Sequence, residues 1–219
     1  MSCRILTTGN FKGGVGKSTT AVCVAEELAL RGRKVLIANA DPQGTAMQWV
    51  KSAPANDPMR VEVVDLAQAK GNLHRMLEPL VSDYDAIVVD CPPSMDAEAM
   101  RSALLVSDLC VMPMQPTPAD YWATQGMQEL ITAVRGVNSS LAAFALANRT
   151  SGSRICRQVL EVMRESGIPL LGTQLRTRVS FQEAAVRGTV PARMGSAHKK
   201  AAMEIKSITD ELLQRMGWQ

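Results

Sequence analysis

Gly9-Asn10-Phe11-Lys12-Gly13-Gly14-Val15-Gly16-Lys17-Ser18-Thr19 stands between a short apolar run, Ile5-Leu6-Thr7-Thr8, and a stretch whose apolar residues recur at helical spacing. Strand, glycine-rich turn and helix in that order make a phosphate-binding loop. Glycines let successive backbone N–H groups turn inward around an anion with no Cβ in the way. A lysine at the end of the turn reaches the β- and γ-phosphates of a nucleotide, and the hydroxyl that follows is a ligand for Mg²⁺. Gly13, Gly14, Val15 and Gly16 are the predicted cradle, Lys17 the phosphate-neutralising charge and Ser18 the metal-side hydroxyl, with Thr19 completing the nucleotide-binding set.

The loop departs from the ordinary pattern Gly-x-x-x-x-Gly-Lys-Ser/Thr. Counting back from Lys17, position 11 should be glycine, and Phe11 stands there with Lys12 added beside it. The resulting Lys-Gly-Gly-x-Gly-Lys-Ser resembles the deviant Walker A loop of the ParA/MinD family of partition and positioning ATPases. That resemblance implies a role for Lys12: reaching across a two-fold interface to the phosphates of a partner's nucleotide, so that ATP is sandwiched between two subunits.

Two carboxylates follow at strand ends. Lys34-Val35-Leu36-Ile37-Ala38-Asn39 is a short apolar run of the buried parallel type, and it ends in Ala40-Asp41-Pro42-Gln43-Gly44. In an open α/β sheet the carboxyl edge is also the ligand edge, so Asp41 faces the γ-phosphate. The Asp-Pro-Gln-Gly sequence resembles the family's first switch loop, whose aspartate is implicated in orienting the attacking water. Further on, Asp85-Ala86-Ile87-Val88-Val89-Asp90 has the form of a Walker B strand. Mg²⁺ retains several waters, so Asp90 at the strand tip can hold it through one while Ser18 and phosphate oxygens coordinate it directly. Asp41 is the third candidate on the metal side. Cys91-Pro92-Pro93-Ser94 then resembles the family's second switch. With Lys12, Lys17, Asp41 and Asp90 the predicted catalytic set is complete.

Composition bounds the rest. At 219 residues and 46% hydrophobic, the chain fits one α/β domain over 1–219, with a core of aliphatic residues and the 13 methionines, since aromatics are only 4%. Cys3, Cys23, Cys91, Cys110 and Cys156 show no C-x-x-C spacing, and neither a signal peptide nor a long apolar span is present. The expectation is a reduced, cytoplasmic protein. Nitrogenase-type iron proteins share this loop type and hold a cluster with two cysteines per subunit, but Cys91 and Cys110 lie in apolar strand-like surroundings and read as buried small residues.

The net charge of +3 is uneven: residues 176–219 hold eight basic and four acidic side chains, an excess of four, which leaves the preceding part at −1. A basic end on a neutral body points to an anionic partner.

Taken in order, the periodicity predicts helices over 18–31, 45–51, 73–81 (with Pro79 near its end), 121–137 (Asp120 as N-cap), 154–166 and 196–216. Further strands are expected over 61–66, 109–114 and 141–147. The last helix carries Ala201, Ile205, Ile208, Leu212 and Met216 as a core-facing stripe. The resemblance suggests Asn148 as the reader of adenine through its amide. It also places a DNA-binding surface of the dimer on the arginine-bearing segment Leu175-Arg176-Thr177-Arg178 and the helix after it. The candidates are Arg176, Arg178, Lys199, Lys200 and Lys206.

The expected architecture is a mostly parallel, doubly wound sheet flanked by helices, a P-loop NTPase. With the loop beginning almost at Met1, the resemblance is to the short ParA type without an N-terminal helix-turn-helix domain. It implies an ATP- and Mg²⁺-dependent ATPase that closes into a homodimer and binds nucleoid DNA non-specifically. A ParB-like or other cargo-adaptor protein would then stimulate hydrolysis. Two rivals are a membrane-positioning ATPase of the MinD kind, using residues 212–219 as a lipid-binding helix, and a metabolic P-loop enzyme. The first conflicts with the commitment of Leu212 and Met216 to packing. The second lacks a spare cluster of acids, histidines or nucleophiles.

Overall fold

Runs that are apolar throughout, with no alternation, become strands covered on both faces. The computed structural model describes residues 3–93, 98–122, 124–164 and 167–218. Six strands, β1 (Arg4–Thr8), β2 (Val35–Asn39), β3 (Glu62–Asp65), β4 (Ala86–Asp90), β5 (Leu109–Met114) and β6 (Ala142–Ala147), form one sheet in the order β3-β2-β4-β1-β5-β6. Every neighbouring pair is parallel. Each β2 and β4 residue is buried, whereas the edge strand β3 is partly exposed. Since β1 lies between β4 and β5, the chain leaves it toward one side and later returns to the other. That reversal opens a crevice at the carboxyl ends of the central strands.

Helices cover both faces, as a parallel sheet requires. On one side α1 (Lys17–Leu30), α2 (Thr45–Lys51), α8 (Val179–Val186) and α9 (Lys199–Arg215) pack Val22, Trp49, Ala184 and Ile205 against the sheet. On the other, α3 (Leu73–Leu77), α4 (Glu98–Val106), α5 (Pro118–Trp122), α6 (Thr124–Arg135) and α7 (Arg154–Arg164) contribute Leu73, Met100, Ile131 and Leu160. Of the predicted C-terminal stripe, Ala201, Ile205, Ile208 and Leu212 are buried on α9, and Met216, just past its end, is half-buried against the same core.

Two local expectations are corrected, and one helix is unexpected. Residues 73–81 do not form one helix, because Pro79 starts a separate 3₁₀ turn, Glu78–Leu80, after α3. Asp120 lies inside the first turn of α5 and is not its N-cap: the Thr117 hydroxyl accepts from the Asp120 N–H at 3.2 Å, while the Asp120 carboxylate accepts from that same hydroxyl and from Lys12. The sequence reading assigns no element between residues 94 and 109, where α4 lies. Ser94 of the second-switch motif, the last residues of the helix expected to end at Ser166, and Gln219 lie outside the described residues.

Candidate nucleotide site

Parallel register brings the predicted residues to one edge. Thr8 pairs with Asp90, and Asn39 pairs with Asp90 on its other side, so the ends of β1, β2 and β4 are level where the loop begins. Residues 9–16 then turn above that edge into α1. Gly14 and Gly16 have φ of +72° and +99°, a left-handed conformation that a side chain disfavours. At Gly16 a Cβ would also fall 2.2 Å from Asn148 Nδ2. Asn148, at the end of β6, donates to the Val15 carbonyl at 2.6 Å and accepts from the Arg149 N–H at 2.8 Å.

Lys17 is only 6% exposed, and its ammonium crosses the turn to donate to the Lys12 carbonyl at 3.0 Å. Burial holds its pKa below the usual lysine value, against the attraction of Asp90 and Asp41. This is a cation whose charge is incompletely neutralised and which faces a phosphate-sized turn. Lys12 points elsewhere: its ammonium lies 2.6 Å from Asp120 Oδ2 on the same chain.

Asp90 is fully buried. Burial, countered by a hydrogen bond from the Ser18 hydroxyl and reinforced by the neighbouring Asp41, pushes its carboxyl up to about 7. The Thr8 hydroxyl approaches Oδ1 at 3.4 Å, and Oδ2 has no partner among the described residues. A buried carboxylate oxygen with no donor, beside a serine hydroxyl and at the foot of an anion loop, fits a hydrated divalent cation. Asp41 is 6% exposed, and its Oδ1 accepts from the Gln43 N–H at 2.9 Å, which fixes the tip of the loop after β2.

Two adjoining cavities open beside these groups. One, of about 290 Å³, is bounded by Gly14, Lys17, Ser18, Asp41, Gln43 and Pro93. The second, of about 230 Å³, continues past Gly16 and Thr19 to Asn148, Arg176, Arg178 and Phe181. Lys12, Gly13 and Val15 belong to the same turn. The sequence reading missed Arg149, Thr177, Phe181 and Gln182 as walls of the second cavity, since the resemblance marks the segment from Leu175 onward as a DNA-binding surface instead. It also missed Asn10, whose side chain donates to Pro113 O at 2.9 Å and accepts from the Lys12 N–H at 3.0 Å. Only its place in the loop hinted at this.

The five cations expected on a DNA surface are not equivalent. Arg178 is half-buried and held by Glu204 through two hydrogen bonds of 2.6 and 3.0 Å. Lys206 lies 3.1 Å from Asp210. Arg176, Lys199 and Lys200 are exposed. Cys91 and Cys110 are both fully buried, and burial pushes the Cys110 thiol up to about 12.

The sequence and the fold both have relatives among known proteins. The chain is 33% identical over 211 residues, and 95% of each chain, to maintenance of carboxysome distribution protein A of Halothiobacillus neapolitanus. It is 29% identical to the chromosome partitioning protein ParA of Myxococcus xanthus, with 74% of this chain and 70% of that one covered. Among solved structures, apo McdA of Cyanothece superposes with a TM-score of 0.80 at 17% identity, covering 96% of this chain and 99% of that one. MinD of Pyrococcus horikoshii in complex with Mg-ADP does so with a TM-score of 0.70 at 20% identity and 98% coverage of both. The CobQ/CobB/MinD/ParA nucleotide binding domain matches residues 6–192, a span that runs from β1 past every group of the site, and the chain therefore belongs to that family.

Proposed function

We propose that the protein is an ATPase that works as a spatial switch. ATP with Mg²⁺ occupies the loop, two subunits close over it, and the dimer binds nucleoid DNA without reading sequence. A cargo-bound adaptor protein then stimulates hydrolysis and release. The observation that carries this reading is the pair of lysines in one loop: Lys17 is directed into the turn, while Lys12 points out of it to the Asp120 carboxylate. A P-loop that served only its own nucleotide would need the first alone.

When bound, Mg²⁺ neutralises charge on the β- and γ-phosphates. Lys17 and the backbone N–H groups of residues 13–19 bind the phosphates, Ser18 and Asp90 hold the cation, and Asp41 orients the attacking water. The second cavity receives the base, with Asn148 at its inner wall. Arg176, Lys199 and Lys200 supply phosphate contacts to DNA, which are salt-sensitive and tolerant of sequence. Arg178 and Lys206, already paired with acids, contribute less. Support for DNA over lipid comes from the C-terminal segment: Leu212 and Trp218 are buried, and Arg33 stacks on the Trp218 ring at 5.0 Å. No helix among the described residues is long and apolar enough to cross a membrane.

DNA binding measured with no nucleotide, ADP, ATP and a slowly hydrolysed ATP analogue, each across a salt series, tests the coupling. Binding is expected only with the triphosphates and should fade as salt rises. Equal binding in all four states would refute the switch, and binding in none would return the membrane and metabolic alternatives to consideration.

A further inference from the structure

Three consecutive loop residues dock on one segment of the same chain. Asn10 donates to Pro113 O at 2.9 Å, the Phe11 ring lies 3.2 Å from where a Cβ on Gly126 would be, and Lys12 Nζ lies 2.6 Å from Asp120 Oδ2. The front of the phosphate loop is thus bolted to the stretch from the end of β5 to α6. Asp120 is an unusual anchor because its side chain is 1% exposed against 37% for Lys12. The Thr117 hydroxyl donates to the same Oδ2, and Oδ1 has no partner among the described residues. Lys12 is therefore the only cation paired with this carboxylate among the described residues. Withdrawing it would leave a buried, under-bonded charge, the costly way to break such a pair.

We propose that Asp120 is a positioning residue that stores Lys12 on its own subunit and thereby sets how much ATP-bound protein is needed before two subunits close. This rests on the reading that Lys12 acts on the partner's nucleotide. For Lys12 to serve there it must leave Asp120, so the pair opposes closure until triphosphate charge at the interface outcompetes a single carboxylate. The lysine is kept from stray anions in the meantime.

The test combines dimerisation with a direct probe of the lysine. In nucleotide-free wild-type protein, acetylation of Lys12 by an amine-reactive anhydride, followed by mass spectrometry, should be roughly tenfold slower than that of exposed Lys199, because a salt-bridged ammonium is withheld from the reagent. In D120N this protection should disappear. With a slowly hydrolysed ATP analogue, sedimentation should show D120N dimerising at a concentration at least about fivefold lower than wild type, while D120E, which keeps the charge, stays near wild type. K12A should dimerise poorly, and adding D120N to K12A should change nothing further.

Lys12 acetylated as fast as Lys199 in the wild-type protein would overturn the proposal without any variant. So would an unchanged threshold in a folded D120N. K12A dimerising as well as wild type is a different failure, since it would remove the trans role of Lys12 and the reason for storing it.

Discussion

Asn148 Nδ2 lies 2.6 Å from the Val15 carbonyl and would lie 2.2 Å from a Cβ placed on Gly16. The end of β6 and the phosphate loop are therefore in contact at the point where the two cavities meet, and a glycine at position 16 is what allows it. Any side chain there would both meet the amide and sit at a φ of +99°. Gly16→Ala is expected to destabilise the chain by about 1–3 kcal/mol and to abolish nucleotide binding. Denaturant unfolding and fluorescent-nucleotide titration measure the two effects, and retained binding would show that the loop does not use this conformation.

If Asp41 orients the attacking water as proposed, its removal should separate binding from chemistry. Its carboxylate is fixed by the Gln43 N–H but does not pair with Lys17, which donates to Lys12 O. Asp41→Ala should therefore leave ATP affinity within a few-fold of wild type and cut turnover by about 10²-fold or more, so that the ATP-bound dimer accumulates. Steady-state hydrolysis and gel filtration with ATP check this. Wild-type turnover would remove Asp41 from the mechanism.

Much of this architecture is legible from the sequence, and for identifiable reasons. The runs at 35–39 and 86–90 are apolar at every position until the final polar residue, so strand type, burial and the placement of Asp90 follow together. The loop is legible because its glycines are needed by backbone geometry that no other residue supplies cheaply. What is not legible depends on partners distant in the chain. Asp120 sits next to a proline-rich turn and reads as a cap. Its actual partner, Lys12, is 108 positions away. Arg178 reads as a free cation because nothing local reveals Glu204 across the gap between α8 and α9. Charge in a sequence gives sign, and only packing shows whether that sign is already neutralised.

A second buried pair makes a stability prediction independent of nucleotide. Glu26 on α1 is fully buried and accepts from the Arg60 and Val61 N–H groups and from Arg193 Nη1 at 2.9 Å. Arg193 also donates to Pro58 O at 2.8 Å, tying α1, the loop before β3 and the residues before α9 into one clamp. Arg193→Leu removes the cation and leaves the carboxylate buried, which should cost about 3–5 kcal/mol. Adding Glu26→Leu should recover much of that loss. Urea unfolding of the single and double variants decides, and purely additive losses would mean that the two side chains are not energetically coupled.

Asp90 provides the pH dependence. Burial is the main cause that pushes its carboxyl up to about 7 from an ordinary 3.8. A folded-state acid with a raised pKa is a cost to the nucleotide-free protein. Above about 7 the group is charged in both folded and unfolded chains and the cost is present in full. As pH falls through the window toward 3.8 the folded chain takes up its proton first and the cost diminishes, vanishing once both states are protonated. Asp90→Asn should therefore stabilise the nucleotide-free protein by roughly 1–3 kcal/mol above that window, a partial return of the shift because Lys17 loses a neighbouring anion. The gain should shrink on acidification. The same variant should lose the extra thermal stabilisation that Mg²⁺ gives to ATP-bound wild-type protein, since the oxygen with no partner, Oδ2, is replaced by or exchanged for a donor. Thermal melts of both proteins across pH, with and without Mg²⁺ and ATP, resolve the two halves. If Asp90→Asn is less stable than wild type at alkaline pH, the carboxylate is held by more than the structure shows. If Mg²⁺ still stabilises the ATP-bound variant fully, the cation is not held by Asp90.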